Sequence, residues 1–307
     1  MASKHRVLVT GIAGFIGSNL ADRLLAAGHE VVGIDNLSYG REEQIPHGVD
    51  FRKLDIRSSE ISAAFEGVDT VFHLAAKNDL LACQRDPVET MDINVHGTAN
   101  IFEMAKRAGV KKVVFASSSA LEEGEARLKG FYAISKATCE KIADGYHAAF
   151  GIDYVLPRYF NVYGPRQDYH RSPPPVMSSF IIKLLKGEAP SIYSGVEGTK
   201  QDFIYVDDIN DFHLQCLDDD RVNNKLFRLG TGKNAFVGDI WETIRKIAGS
   251  DLQPKMVPPP FGFTPASTLA DIAETEAIGW HPKTSLEEGL RVQFEYLKAE
   301  FAKGNIT

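Results

Sequence analysis

The stretch Arg6-Val7-Leu8-Val9-Thr10-Gly11-Ile12-Ala13-Gly14-Phe15-Ile16-Gly17 decides how the chain is read. A short apolar run ends in a G-x-x-G-x-x-G string. The residues after it, 18–27, carry Leu20, Leu24 and Leu25 at helical spacing. Strand, glycine turn and helix in that order form a phosphate cradle. The glycines let the backbone turn tightly and approach a pyrophosphate, and the helix N-terminus offers free N–H groups and a positive dipole end. A second apolar run over 31–35 closes on Asp35, roughly 20 residues further on. A carboxylate there accepts hydrogen bonds from both adenosine ribose hydroxyls and repels a 2′-phosphate, so NAD is expected rather than NADP. Arg41 nearby reads as a solvated loop cation.

Working outward, apolar runs alternate with helical patterns: strands at 50–55, 70–76, 112–117 and 153–158, helices at 90–108 and 132–150. This alternation predicts an α/β fold, a Rossmann-type doubly wound parallel sheet with helices on both faces. After Tyr163-Gly164-Pro165 the character changes, with prolines at 173–175 and 258–260 and helices expected at 238–248 and 285–301. We read residues 1–163 as an NAD-binding domain, to which a segment at about 201–232 returns, and 164–307 as mainly a smaller C-terminal α/β substrate domain.

The whole composition agrees with an ordinary soluble globular protein. The chain has 307 residues, 44% hydrophobic and 24% charged, with a net charge of −7. That balance argues against a non-specific nucleic-acid binder. Cys83, Cys139 and Cys216 form no C-x-x-C pair and the histidines are scattered, so neither a disulfide framework nor a metal site is expected. No run has the length of a membrane helix and the first residues are too polar for a signal peptide. A cytoplasmic setting is the expectation.

Two further features carry chemistry. Tyr132 and Lys136 stand at i and i+4, on one helical face. A lysine beside a phenol favours the phenolate, so Tyr132 is expected to act as general base toward a hydroxyl that loses hydride to NAD. Upstream, Ser117-Ser118-Ser119 follows a strand at the sheet's carboxyl edge, where ligands bind in open α/β sheets.

Taken together these motifs resemble the extended short-chain dehydrogenase/reductase superfamily, the nucleotide-sugar epimerases and dehydratases. The resemblance runs through Asp35-Asn36-Leu37-Ser38, Leu54-Asp55-Ile56, Phe72-His73-Leu74-Ala75-Ala76, Asn94-Val95-His96-Gly97-Thr98, the serines, Tyr132 with Lys136, Arg158-Tyr159-Phe160-Asn161-Val162-Tyr163-Gly164-Pro165-Arg166, Asp202-Phe203-Ile204-Tyr205-Val206-Asp207-Asp208 and Leu286-Glu287-Glu288-Gly289-Leu290. It implies catalysis by Ser119, Tyr132 and Lys136. It also implies cofactor contacts from Gly11, Gly14, Phe15, Ile16, Gly17, Asp35, Asn36, Asp55, Ile56, Leu74, Ala75, Ala76, Asn94, Ser117, Tyr132, Lys136 and Tyr159. Substrate contacts are implied for Lys77, Ser119, Asn161, Val176, Tyr193, Lys200 and Gln201. A homodimer through helices near 91–107 and 134–150 is implied as well.

Within that family, 4,6-dehydratases carry Asp-Glu after the serine position, where this chain has Ala120-Leu121. The pattern is closer to the 4-epimerases, which pass through a 4-keto sugar and regenerate NAD in each turnover. Three departures concern the substrate. The segment between Ser119 and Tyr132 is short. Gln201 stands where the family has a diphosphate-binding arginine. Phe261 and Thr264 stand where a later Arg and Asp hold the diphosphate and uridine ribose. Either Lys200 and Lys77 partly replace them, or the substrate is not an ordinary UDP-hexose. A dehydratase, decarboxylase or net oxidoreductase on the same scaffold is the second reading, and a non-catalytic NAD-binding regulator the third.

Overall fold

The computed structural model describes residues 4–122, 130–195, 199–259 and 267–306. The chain forms two compact units. The first comprises residues 1–159, 210–229 and 273–280, and the second residues 160–209, 230–272 and 281–307. The segment expected to return at 201–232 is thus 210–229, and Ala273–Trp280 joins it.

The first unit is built on a parallel sheet. Its strands are β1 (Arg6–Thr10), β2 (Glu30–Asp35), β3 (Asp50–Lys53), β4 (Thr70–His73), β5 (Lys112–Phe115), β6 (Ser117–Ser118), β7 (Asp153–Tyr159) and, after three strands of the other unit, β11 (Lys225–Leu229). The order is β11-β7-β5-β4-β1-β2-β3, with β6 pairing on β7. Every ladder is parallel. The strand order reverses between β1 and β4, so the carboxyl ends of these two strands flank the switch point where open sheets bind ligands.

Side chains alternate across this sheet, as strand geometry requires. On β4, Val71 joins the apolar core that contains Ile101, Phe102, Cys139 and Ala143 from the helices Gly97–Ala108 and Phe131–Phe150. Phe72, between Val71 and His73, meets His213 of the helix Val206–Asp218 edge-on, at 5.5 Å between ring centres. The sheet is therefore covered by helices on both faces.

Two strands are shorter than their apolar runs. β4 stops at His73, beyond which the Thr10 hydroxyl takes the N–H of Ala75 and shares that of Leu74 with the Thr10 carbonyl. β3 stops at Lys53, where Asp55 turns the chain by accepting from the Arg57 nitrogen. The long helix expected at 90–108 is three pieces: Pro87–Met91, a wider π-turn over Asp92–His96, and Gly97–Ala108. The wider turn sits where Asn94 puts its side chain on the neighbouring loop rather than in the helix.

The second unit holds a three-stranded sheet, in which β10 (Lys200–Tyr205) lies between β8 (Asn161–Tyr163) and β12 (Asn234–Phe236). It also holds a two-stranded pair, β9 (Ser191–Tyr193) with β13 (Lys255–Val257). Phe180 of the helix Val176–Leu185 packs edge-on against Trp241 of the helix Val237–Ala248. The helix Leu286–Ala302 opens with a reciprocal cap between Ser285 and Glu288. The helices Val176–Leu185 and Val206–Asp218 were not anticipated from the sequence.

Candidate active site

The turn after β1 is assembled from backbone too close for side chains. Gly11 has φ +72°, and a Cβ on it would stand 2.9 Å from the Ala75 nitrogen. A Cβ on Gly17 would stand 2.2 Å from the Gly11 oxygen. The helix Phe15–Ala26 that follows begins at Gly14 with no side-chain cap and no acidic residue in its first turn. Its N-terminal N–H groups, including those of Phe15 and Ile16, and its positive dipole end are left for an anion.

At the end of β2, Asp35 accepts hydrogen bonds from the nitrogens of Ala13, at 3.1 Å, and Leu37, at 2.8 Å. Burial pushes its carboxyl above the usual value, against the pull of the Leu37, Ala13 and Asn36 N–H groups. Arg41 is ion-paired with Glu43. The cation nearest in sequence is thus already matched, and the Asp35 carboxylate would repel a 2′-phosphate. The cradle, the uncapped helix end and this carboxylate fit NAD. Asp35→Ala is expected to weaken NAD binding about 10- to 100-fold and to leave NADP binding unchanged or improved. Calorimetry with both cofactors measures it, and an unaltered preference would remove Asp35 from this role.

A buried relay fixes the other wall of the turn. Thr10 Oγ1 accepts from Leu74 and Ala75, and it therefore donates its proton to His73 Nδ1, 2.8 Å away. His73 Nε2 lies 3.0 Å from Thr98 Oγ1. Burial holds this imidazole down to about 3, so it stays neutral and acts as a brace. It sets the backbone of Leu74-Ala75-Ala76 against the glycine turn. Asn36 Nδ2 donates to Asp55, 2.9 Å away. Arg57 also binds Asp55, holding that carboxyl well below the usual range. Ile56 is buried against Gly97.

Asn94 and Lys77 both have partners within the protein. Asn94 receives the Lys77 N–H at 2.8 Å and donates to the Lys77 carbonyl at 3.0 Å and to Ser135 Oγ at 2.9 Å. Ser135 in turn donates to the carbonyl of Tyr132. The amide of Asn94 thus braces the loop after β4 against the helix of Tyr132. Lys77 is buried and ion-paired with Glu89. Burial opposes its charge, the carboxylate outweighs burial, and its pKa lies above the ordinary value. Its ammonium is engaged by Glu89. Tyr132 shares a side-chain hydrogen bond with Ser118. Ser118 ends β6, whereas Ser119 begins the following helical turn, Ser119–Leu121, and is buried there.

Tyr132 and Lys136 lie one turn apart on the helix Phe131–Phe150. Lys136 Nζ donates to the Ala116 carbonyl at 2.7 Å and lies 5.9 Å from the centre of the Tyr132 ring. Burial lowers Lys136 to about 8. Burial also pushes Tyr132 up to about 12, with the Ser118 hydroxyl acting in the opposite direction. The expected lowering by the lysine is thus not met in the free protein, because desolvation of the phenolate is the larger effect. Ser117 donates to Glu140 at 2.6 Å. Tyr159 donates to His213 Nε2 at 2.7 Å, the other ring nitrogen of His213 being turned to Asn210.

In the second unit, β10 presents Lys200 and Gln201 side by side. Lys200 Nζ rests 4.5 Å from the centre of the Phe236 ring, across the β10–β12 ladder. Asn161 donates its amide to the Asp202 carbonyl at 2.8 Å. The Asp202 carboxylate is fully buried and accepts from Thr231, Gly232 and Ala270, which fixes the loops beside this strand. Val176 opens its helix and Tyr193 ends β9. Phe261 and Thr264 lie outside the described residues, as does most of the short segment before Tyr132. Sequence reasoning missed Ser118, the Thr10–His73–Thr98 relay and Asp202. Thr10 at the head of the glycine string was the one available signal for the relay.

Comparison with known proteins agrees with this geometry. Residues 7–230 match the NAD dependent epimerase/dehydratase family. The UDP-glucose 4-epimerase of Mycolicibacterium smegmatis is 33% identical over 314 residues, covering 95% of this chain and 98% of that one. The crystal structure of the Thermotoga maritima UDP-glucose 4-epimerase with UDP-glucose superposes with a TM-score of 0.90 at 31% identity, covering 96% of this chain and 99% of that one. The Thermus thermophilus UDP-glucose 4-epimerase, solved with NAD, gives 0.85 at 33% identity, covering 95% and 99%.

Proposed function

Because the chain belongs to the NAD dependent epimerase/dehydratase family, we propose that it inverts the 4-hydroxyl of a UDP-linked sugar through a transient 4-keto sugar. The observation that carries this reading is the Tyr132–Ser118 hydroxyl pair with the Lys136 ammonium one helical turn away. NAD, when bound, supplies the reversible hydride acceptor and a positive ring charge. Tyr132 takes the proton of the 4-hydroxyl and later returns it. Ser118 holds the same sugar oxygen in line by sharing its hydroxyl with Tyr132. Lys136 supplies the positive charge that a buried phenolate needs. The ammonium is present below about pH 8 and disappears as pH rises through that value, so turnover should fall above it.

The absence of Asp-Glu at Ala120-Leu121 favours epimerisation over water loss. We take the protein to be a cytoplasmic homodimer, and the exposed Ile134 and Phe150 on the helix Phe131–Phe150 support that helix as a subunit contact. The test is incubation with UDP-glucose, UDP-N-acetylglucosamine and UDP-glucuronate, followed by NMR of the products. The expected product has the substrate's mass, inverted C4 and no released NADH. Loss of water or carbon dioxide, or accumulating NADH, would overturn the reading.

Lys200 is a candidate for the role of the arginine replaced by Gln201. Its ammonium sits over an aromatic ring, with no carboxylate contact among its described interactions. Lys200→Ala is expected to weaken UDP binding about 10- to 100-fold in calorimetry. Unchanged affinity would leave the diphosphate to other groups.

A further inference from the structure

Glu140 lies on the same helix as Tyr132 and Lys136, one further turn along, so the three share one face. It is 8% exposed. Its carboxylate is gripped by Arg158 through two nitrogens, at 2.9 and 2.7 Å, and accepts the Ser117 hydroxyl at 2.6 Å. Arg158 turns its third nitrogen to Glu122 at 2.9 Å, and Arg228 binds the other oxygen of Glu122 at 2.8 Å. A chain of charge-assisted bonds thus links the helix, β6, β7 and β11. β6 carries Ser117 on Glu140 and Ser118 on Tyr132, in consecutive positions.

The groups around Lys136 make this carboxylate more than a tether. Cys139 lies three residues beyond Lys136 on the same helix, and burial pushes its thiol and that of Cys83 up, so both are neutral. His73, on β4, is held neutral by burial, and Tyr132 is protonated in the free protein. Glu140, four residues further along the same helical face, is the carboxylate among the described groups that act on Lys136.

We infer that Glu140 is a positioning residue for the tyrosine–lysine pair: through Ser117 it sets the serine strand against Tyr132, and through its charge it keeps Lys136 an ammonium. Arg158 orients Glu140 and also moderates that charge. The functional meaning rests on the reading of Tyr132 and Lys136 given above, but the charge coupling does not.

The test follows the Lys136 titration by the 13C shift of its ε-carbon in labelled protein, with the signal assigned by Lys136→Arg. Glu140→Gln retains an acceptor oxygen and removes the charge, and it should move the Lys136 midpoint down by about one pH unit. Arg158→Gln leaves Glu140 unneutralised and should move it up by less. The double variant should lie below wild type and above Glu140→Gln. An unmoved midpoint in Glu140→Gln, or a shift of the same sign in both single variants, would overturn the inference. Should Glu140→Gln fail to fold, the upward shift in Arg158→Gln and the position of the double variant decide it. Turnover measured beside the titration should show its alkaline limb moving with the midpoint. If no nucleotide sugar is turned over, the functional reading fails while the midpoint still decides the role of Glu140.

Discussion

Tyr132→Phe abolishes nearly all turnover, by ~10²–10⁴, while the protein keeps its fold and its NAD. The phenylalanine ring fills the same half-buried space, and the change removes one oxygen, the one bonded to Ser118. No described neighbour can take over its work. His73 is enclosed and held neutral between Thr10 and Thr98, and both nearby thiols are raised by burial. Lys136 already donates to the Ala116 carbonyl, so its proton is directed at backbone. Removing the phenol therefore removes the acid and the base together, because the same oxygen accepts the proton and returns it. The measurement is turnover of a UDP-sugar by the purified variant, with retained NAD read from its absorbance after denaturation. Near-normal turnover would end the mechanism. Loss of NAD together with activity would instead assign Tyr132 a cofactor-holding role.

The parallel sheet was legible because its strands are short apolar runs separated by helical spacing, and the glycine string with Asp35 was legible because close backbone approach leaves few residue choices. What was not legible came from side chains that satisfy backbone. The break of the 90–108 helix follows from Asn94 reaching Lys77 and Ser135, partners 17 and 41 residues away. Lys77 looked like a cation at a strand end facing a ligand. Its partner Glu89 lies one helix further on, and nothing in local spacing joins the two. The choice among three consecutive serines depends on where β6 ends, and a single residue decides which hydroxyl meets Tyr132. The phenol's pKa was misjudged for a different reason. Proximity of a lysine is visible in the i, i+4 spacing, whereas desolvation depends on the packed surroundings, and here it is the larger effect.

Gly17→Ala should strip the protein of NAD and destabilise it, although a single methyl group is added. The new Cβ would lie 2.2 Å from the Gly11 oxygen, 2.9 Å from the Gly11 carbonyl carbon and 3.1 Å from the Ile12 Cα. All three are backbone atoms, so no side chain can swing aside. The helix Phe15–Ala26 must lift from the end of β1, or the turn must open. Gly11 is itself pressed against the Ala75 nitrogen and cannot retreat. Overpacking of this kind costs roughly 1–3 kcal/mol. The displaced helix end no longer aims its N–H groups at the pyrophosphate, so the stabilisation that a bound ligand adds to the folded state is lost as well. Gly145 supplies the control. It lies inside the helix Phe131–Phe150 with open space where its Cβ would go, so alanine there should raise stability by about 0.5–1 kcal/mol through helix propensity alone. Thermal unfolding and NAD content of the two variants separate the cases. A Gly17→Ala protein that retains NAD and melts with wild type would show that the turn yields more readily than its backbone contacts allow.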